Sequence, residues 1–200
     1  MKDAVRKLRD KTSAGIMDCK TALKEADGDI EKAIVILRKK GKAAASKKAG
    51  RTAKQGCIES YIHMGGKIGV LLELNSETDF VARNSEFKKL ARDIAMQIAA
   101  AHPSYVGIQS VPESVVAKEK EIFTEQVKSS EKDKKKPQQV IEKIVENKVK
   151  KFYEEACLLE QPYIKDQKLK IKDLLEQAVA TLGENIVIKR FSRYQVGEEI

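Results

Sequence analysis

Two short runs rich in Ile, Val and Leu, at residues 57–63 and 67–75, are separated only by Met64-Gly65-Gly66. Runs of this kind are typical of strands, and a short Gly-rich connection is typical of a tight hairpin turn. The sequence therefore predicts an antiparallel hairpin. Residues 185–193 alternate apolar and polar side chains, which predicts a third strand of the same sheet. So small a sheet leaves an edge that can pair with a second copy of the chain.

The first 41 residues have the apolar spacing of three short helices. Val5 and Leu8 share one face of the first helix, which residues 13–15 interrupt. The helical period resumes over residues 16–26 and stops at Asp27-Gly28. Asp29 is then expected to cap a third helix that has a basic last turn and ends at Gly41. We predict a compact, UBA-like docking module over residues 1–41.

Residues 42–56 have few large apolar side chains, and their lysines keep no consistent face, which predicts a partly helical linker. Residues 1–56 contain 16 Lys and Arg against 7 Asp and Glu, so this quarter of the chain holds the whole net charge of +9. Such a patch suits nucleic acid, an anionic membrane or an acidic protein surface, and charge alone does not choose among them. Whether the linker lysines are solvated or contact a backbone or an acidic surface also stays open.

Residues 57–200 are expected to form one α+β domain, with a small antiparallel sheet packed against helices and available for dimerisation. After the hairpin, helices are predicted over residues 85–101, ended by Pro103, and over about 112–127. A polar loop is expected at residues 128–136, and a last helix at 170–182, ended by Gly183. Between them we predict a long helix over 137–161, whose buried side would carry Val140, Ile141, Ile144, Val145, Val149, Phe152, Tyr153, Ala156 and Leu159.

No catalytic or phosphate-binding motif stands out in the chain. Gly65-Gly66-Lys67 lacks the upstream glycine and the following Ser or Thr of a phosphate-binding loop. There is no Gly-x-Ser-x-Gly elbow and no distinct pair of carboxylates. We therefore expect a protein that acts by binding, not an enzyme.

The cysteines and histidines do not have the spacing of a disulfide framework or a metal site. The three cysteines are widely separated, which indicates reduced thiols. His63 and His102 have no cysteine or histidine at ligand spacing, so we expect no metal and no cofactor. The sequence alone does not exclude a Cys–His nucleophile pair.

The longest apolar run, near residues 94–101, is too short to cross a bilayer. The amino terminus becomes polar at once and does not have the pattern of a signal peptide. We therefore expect no membrane association and a cytoplasmic location.

The segment 75–83, between the second strand and the next helix, allows two interpretations. It can be a connector in which Thr78 or Asp79 caps a turn and both Phe80 and Val81 pack into the core. Alternatively, a short turn projects Phe80 outward as an apolar anchor for a partner, with Asp79 beside it.

Residues 73–83, ELNSETDFVAR, resemble the central signature of the elongation factor Ts family. Residues 8–23, LRDKTSAGIMDCKTAL, resemble that family's amino-terminal motif, and the likeness extends over nearly the whole chain, including 43–56 and 183–194. Ser13 stands where the family usually has Gly, and Thr21 where it usually has a basic or polar residue. Ser13 would restrict a turn with positive φ.

The resemblance implies a guanine nucleotide exchange factor that promotes GDP release from elongation factor Tu, the GTPase of translation elongation. In the family, a turn inserts between two helices of the GTPase and disturbs its Mg²⁺ and phosphate sites. The matching residues here are Thr78, Asp79, Phe80 and Val81. The amino-terminal module would dock on the same domain around Ile16 and Met17, and the carboxy-terminal half would contact another domain.

The chain is similar in length to compact members of the family, in which a second copy can supply what longer members carry in one chain. We therefore expect a homodimer. Ser192 lies in the last predicted strand, where a cysteine could cross-link two copies, so any association there would be noncovalent.

The main rival interpretation is a basic RNA- or DNA-binding protein, which the calculated pI of about 9.3 favours. Aromatic residues make up only 5% of the chain, however, and none is interleaved with the basic linker. A UBA-like adaptor leaves the α+β domain unexplained, and a small enzyme lacks an identifiable site.

Overall fold

A computed structural model of the protein describes residues 2–12, 14–130 and 136–199. It begins with three helices, α1 (Lys2–Thr12), α2 (Ile16–Glu25) and α3 (Ile30–Lys48). They enclose a small core of Leu8, Cys19, Ala22, Leu23, Ala26 and Ala33. Asp29 caps α3 as predicted, because its side chain accepts hydrogen bonds from the backbone N–H groups of Glu31 and Lys32. The predicted break over residues 13–15 is confirmed at Ala14 and Gly15, which separate α1 from α2, while Ser13 lies outside the described residues.

The rest of the chain combines five strands and five helices within the described residues. In chain order these are β1 (Gln55–Ile62), β2 (Ile68–Ser76), α4 (Asp79–Arg83), α5 (Ser85–Ala101), α6 (Glu113–Ser129), α7 (Gln138–Ala156), β3 (Pro162–Tyr163), β4 (Asp166–Lys170), α8 (Ile171–Leu182) and β5 (Val187–Gln195). Single 3₁₀ turns occupy Ile108–Ser110 and Leu158–Glu160. The predicted α+β class is confirmed.

The main sheet has the strand order β1-β2-β5, with both neighbouring pairs antiparallel. This confirms the hairpin and the third strand. Val70, Leu72 and Leu74 alternate onto the inner face of β2, where they are almost completely buried. They pack against the apolar side of α5, including Phe87 and Ile94, and this contact forms the centre of the larger core.

Two helix ends occur where local signals predicted them. α5 ends at Ala101, and the following His102 has a left-handed backbone with φ 48° immediately before Pro103. α8 ends at Leu182, and Gly183 adopts φ 81°, which glycine tolerates without a Cβ clash. The turn after Gly183 leads directly into β5 and lies beside the segment that precedes α4.

The prediction that the third helix ends at Gly41 is wrong, because α3 continues to Lys48. Lys42 Nζ lies 2.9 Å from a carboxylate oxygen of Asp173 and 3.8 Å from one of Glu176, both on α8. Ala45 packs against the larger core. These contacts offset the roughly 1 kcal/mol that a glycine costs inside a helix. The division into 1–41, 42–56 and 57–200 stays a prediction.

The long helix predicted over 137–161 is shorter in the structure. α7 ends at Ala156, Cys157 is extended, and Leu158 begins a 3₁₀ turn. Val140, expected on the buried side, is 40% exposed, while Ile141 and Val149 are buried. α6 packs mainly against α7. It extends to Ser129, so the predicted polar loop begins later than expected, and residues 131–135 of that loop lie outside the described residues.

The two-stranded β3–β4 hairpin was not predicted. Its position depends on Gln97 of α5, which is fully buried. The Gln97 side chain accepts a hydrogen bond from the Ile164 N–H at 2.9 Å and donates one to the Pro162 carbonyl at 3.2 Å.

Among the described residues, none of the helices is both long and apolar enough to cross a membrane.

Candidate functional site

The cysteines and histidines do not form a reactive centre in the described part of the chain. Cys19, Cys57 and Cys157 are free thiols, as predicted. Burial, followed by a nearby glutamate, raises the pKa of both Cys57 and Cys157, which disfavours the nucleophilic thiolate.

The imidazole rings are engaged with other partners. The His63 ring lies 3.1 Å from the Tyr61 hydroxyl, and the His102 ring lies 3.3 Å from Glu198. No group of three or more His, Cys, Asp or Glu side chains within residues 2–12, 14–130 and 136–199 is arranged to hold a metal ion. The candidate functional residues on the described surface are instead its exposed apolar side chains, which can bind a partner.

Phe80 is the most exposed aromatic side chain on the described surface, with 81% of it accessible. It lies in α4, a single helical turn between the end of β2 and the start of α5. On the same turn Val81 packs against the larger core and Ala82 is buried. The connector interpretation is therefore correct for Val81 and wrong for Phe80.

The turn that carries Phe80 is closed at both ends by local contacts. Asp79 and Arg83 form an ion pair of 2.7 Å across α4. The Asn84 N–H donates to the Val81 carbonyl at 3.0 Å, and the Asn84 side chain caps α5 by accepting from the Glu86 N–H at 2.8 Å. These contacts fix the turn with Val81 and Ala82 facing inward, so the neighbouring Phe80 side chain points to solvent.

Residues far away in sequence hold the segment before Phe80. Glu184 accepts two hydrogen bonds from Thr78, one from its N–H at 2.9 Å and one from its hydroxyl at 2.6 Å. Glu77 accepts a hydrogen bond from the Asn185 N–H at 2.7 Å. The sequence pattern does not predict a role for Glu184 or Asn185. The only signal was their place after the helix stop at Gly183, within a stretch that shares the family likeness.

Ile16 and Met17, the predicted docking residues, lie in the first turn of α2. They are 56% and 69% exposed. Their helix belongs to the small amino-terminal core, whereas Val81 and Ala82 belong to the larger one. The structure thus places Ile16 and Met17 in one exposed patch and Phe80 in another, with Val81 packed against the core beside Phe80, and the role of these residues in binding stays a prediction.

Several cations of the basic quarter are paired within the protein. Lys11 lies 3.1 Å from Glu31, Lys40 lies 2.7 Å from Glu25, and Lys42 contacts α8. Glu31 and Glu25 belong to the same quarter and are already counted in its balance, so only the pairing of Lys42 with α8 reduces the excess positive charge. Of the linker lysines, Lys42 therefore contacts an acidic surface, and that surface belongs to the same chain.

Comparison with known proteins identifies the family. The sequence profile described as Elongation factor TS matches residues 5–198. The chain is 57% identical over 197 residues to Elongation factor Ts of Thermotoga neapolitana, covering 98% of this chain and 97% of that protein. It is 59% identical over 194 residues to Elongation factor Ts of Thermodesulfovibrio yellowstonii, covering 97% and 94%. The chain therefore belongs to the elongation factor Ts family, a family of translation elongation factors.

Proposed function

We propose that the protein is a guanine nucleotide exchange factor that binds GDP-loaded elongation factor Tu and promotes GDP release. Phe80, with Thr78, Asp79 and Val81 around it, inserts between helices of the GTPase, displaces Mg²⁺ and disturbs the phosphate site. GTP then occupies the empty site. The observation that carries the proposal is a phenylalanine 81% exposed on a turn whose neighbouring residues are fixed.

The energetics require more than this one side chain. Accelerating GDP release about 10⁴-fold needs roughly 5.5 kcal/mol of differential stabilisation. Burying one large apolar side chain contributes about 1.5–3 kcal/mol. Ile16 and Met17, both exposed, are apolar side chains able to add contributions of similar size from the amino-terminal module. The carboxy-terminal half adds contacts with a further domain of the partner.

The same coupling predicts how the factor leaves its partner. If the factor weakens GDP binding, nucleotide must weaken binding of the factor by the same ratio. Incoming GTP therefore helps to expel the factor. The cycle needs no covalent step and no cofactor on this chain.

The direct test of the proposed function is stopped-flow release of fluorescent GDP from elongation factor Tu. Adding the protein at increasing concentration should accelerate release to a plateau, and excess Mg²⁺ should lower that plateau. A release rate independent of the protein's concentration would refute the proposal.

The RNA-binding alternative makes a different prediction for salt. A basic surface that neutralises several phosphates loses affinity steeply with salt, and this loss does not depend on Phe80. The pairing of Lys42 with Asp173 and Glu176 reduces the excess charge available for such contacts. Steeply salt-dependent binding to RNA that Phe80→Ala leaves unchanged would favour the alternative.

We also propose that two copies associate through the outer face of the main sheet. On this face the register aligns Ile62 with Gly69 and Tyr194 across the three strands, and Ser60 with Leu71 and Ser192. Four large apolar side chains there are 49–68% exposed: Ile58, Ile62, Leu71 and Tyr194.

The charge on this sheet face suits contact with an identical face. Its Glu73 is paired with Arg190 at 2.7 Å, so the two charges compensate each other within one copy. In a two-fold interface the same patch meets itself, and an unbalanced charge would be repelled. We expect size-exclusion chromatography with light scattering to show a dimer for the wild type and a monomer for Leu71→Glu. A wild-type monomer at micromolar concentration would contradict this arrangement.

A further inference from the structure

Two residues at the α8–β5 connection hold the Phe80 turn from the far end of the chain. Glu184 uses one carboxylate oxygen for the Thr78 N–H, at 2.9 Å, and the other for the Thr78 hydroxyl, at 2.6 Å. The Thr78 carbonyl accepts a hydrogen bond from the hydroxyl of the fully buried Ser76, at 2.9 Å. All three polar groups of Thr78 are therefore engaged, and this fixes the chain two residues before Phe80.

Asn185 extends this contact to a third segment. It is 5% exposed, and its N–H donates to Glu77 at 2.7 Å. Its side-chain amide donates to the Arg51 carbonyl at 2.7 Å and to the Ala49 carbonyl at 3.4 Å, just beyond the end of α3. The Arg51 guanidinium in turn lies 3.6 Å from Glu77.

We infer that Glu184 and Asn185 are positioning residues that hold the Phe80 turn in its binding orientation and tie it to the end of α3. The inference rests on the proposed function, in which Phe80 inserts into a GTPase. Because α3 begins inside the amino-terminal module, the same tie sets the position of Phe80 relative to the Ile16 and Met17 patch.

The physical reason is preorganisation. An exposed phenylalanine on a free loop would sample many orientations, and only the competent fraction could insert. Charge-assisted hydrogen bonds such as those to Glu184 are stronger than neutral ones and restrict the backbone directly. Removing them lowers the competent fraction while leaving the other docking surfaces intact.

The positioning role of Glu184 can be separated from docking in the exchange assay with elongation factor Tu, because the two affect different measured quantities. Docking through the module sets the protein concentration that gives half-maximal GDP release, whereas insertion of Phe80 sets the maximal rate. Both hydrogen bonds to Glu184 are exposed to solvent, which weakens them, so Glu184→Ala should lower the maximal rate about tenfold, less than two buried charged hydrogen bonds would give. The half-maximal concentration should change less than about twofold. Glu184→Gln keeps one acceptor oxygen and should recover part of the rate.

Hydrogen exchange tests the contact without reference to the partner. In the free protein, Glu184→Ala should speed exchange of the Thr78 amide about tenfold or more, with the amides of β2 unchanged. Glu121→Ala makes the same charge change at an exposed position on α6 and should leave exchange of the Thr78 amide unchanged. Thr78→Val introduced into the Glu184→Ala variant should lower the maximal rate by a smaller factor than Thr78→Val introduced into the wild type, because the Thr78 hydroxyl has already lost its partner Glu184.

Each outcome of these measurements supports or overturns a different statement. Unchanged Thr78 exchange in both Glu184 variants refutes the contact. Faster exchange with an unchanged maximal rate refutes its positioning role. If Phe80→Ala leaves GDP release at the wild-type rate, the proposed function fails, whatever hydrogen exchange shows for Glu184.

Discussion

Gly56, the second residue of β1, offers a quantitative test of the hairpin geometry that leads to the Phe80 turn. Its φ is +143°, a conformation that residues with a side chain rarely adopt. A Cβ placed there would collide with the Leu74 carbonyl oxygen and lie 2.7 Å from the Asn75 Cα. Both obstacles are backbone atoms of the paired strand, so neither can move aside without breaking the β1–β2 register. Gly56→Ala should therefore destabilise the fold.

The expected loss combines two contributions. Holding a non-glycine residue in this backbone region costs about 1–3 kcal/mol. Forcing an extra carbon into a packed site costs about a further 1–3 kcal/mol. The sum, about 2–6 kcal/mol, is a large part of the 5–15 kcal/mol by which a typical domain is stable.

Two other glycines provide matched controls. Gly65, in the hairpin turn, has φ +86° but no atom within 4 Å of an added Cβ, so Gly65→Ala should cost about 1–2 kcal/mol from the backbone alone. Gly50 has neither a positive φ nor a close neighbour, so Gly50→Ala should change stability by less than about 0.5 kcal/mol.

The assay is urea unfolding monitored by circular dichroism at one fixed protein concentration, because self-association would otherwise shift the midpoints. The predicted order of destabilisation is Gly56→Ala, then Gly65→Ala, then Gly50→Ala. If Gly56→Ala is no more destabilising than Gly65→Ala, the close approach of the two strands at Gly56 is refuted.

Three further changes test other parts of the fold. Gly41 lies inside α3, and the Cβ added by Gly41→Ala would lie 3.6 Å from the Ala180 Cβ, an ordinary van der Waals distance. This substitution should therefore raise the free energy of unfolding in urea by about 0.5–1 kcal/mol. Burial raises the pKa of the Cys57 thiol above that of an ordinary cysteine, so half-maximal alkylation by iodoacetamide, followed by mass spectrometry, should need a higher pH in the folded protein than in urea. Burial raises the pKa of Glu160, but hydrogen bonds from Lys172 and Lys170 lower it below 4.5 overall, so Glu160→Gln should remove part of the stability loss measured on acidification below pH 4.5.

The opposite results are equally specific. A destabilised Gly41→Ala variant would mean that α3 is interrupted there. An alkylation midpoint for Cys57 that is no higher in the folded protein than in urea would mean that its thiol is not desolvated. For Glu160 the carboxylate form is favoured in the folded protein, so its contribution is present above the unfolded pKa and lost as the pH falls. Equal acid sensitivity in Glu160→Gln would contradict the contacts with the two lysines.

Features set by neighbouring residues could be predicted from the sequence. The ends of α5 and α8 follow from Pro103 and Gly183, which act within a few residues of the helix end. The hairpin follows from two apolar strands around Gly65 and Gly66, both of which have positive φ in the structure. These signals need no knowledge of distant contacts.

The errors in the fold arise where distant contacts override a local signal. Gly41 and the basic residues before it favour a helix end. The ion pair of Lys42 with Asp173 of α8 and the packing of Ala45 against the larger core instead extend α3 to Lys48. The short β3–β4 hairpin lacks strong apolar alternation, and its position depends on Gln97 from another helix.

The site shows the same division. The local pattern allowed Phe80 to be either an anchor or a core residue, and only the packing of Val81 and Ala82 decides that it is exposed. The contact between Thr78 and Glu184 spans 106 residues in sequence. No local pattern could have predicted it.

The most direct test of the account is the maximal rate at which the protein releases fluorescent GDP from elongation factor Tu, compared between the wild type and Phe80→Ala. If Phe80 contributes the roughly 1.5–3 kcal/mol of a buried large side chain, the substitution should lower this rate about 10- to 150-fold with the fold intact by circular dichroism. Met64→Ala removes another side chain, 90% exposed at the hairpin turn, and should leave the rate unchanged. A Phe80→Ala rate within about twofold of the wild type would contradict the account.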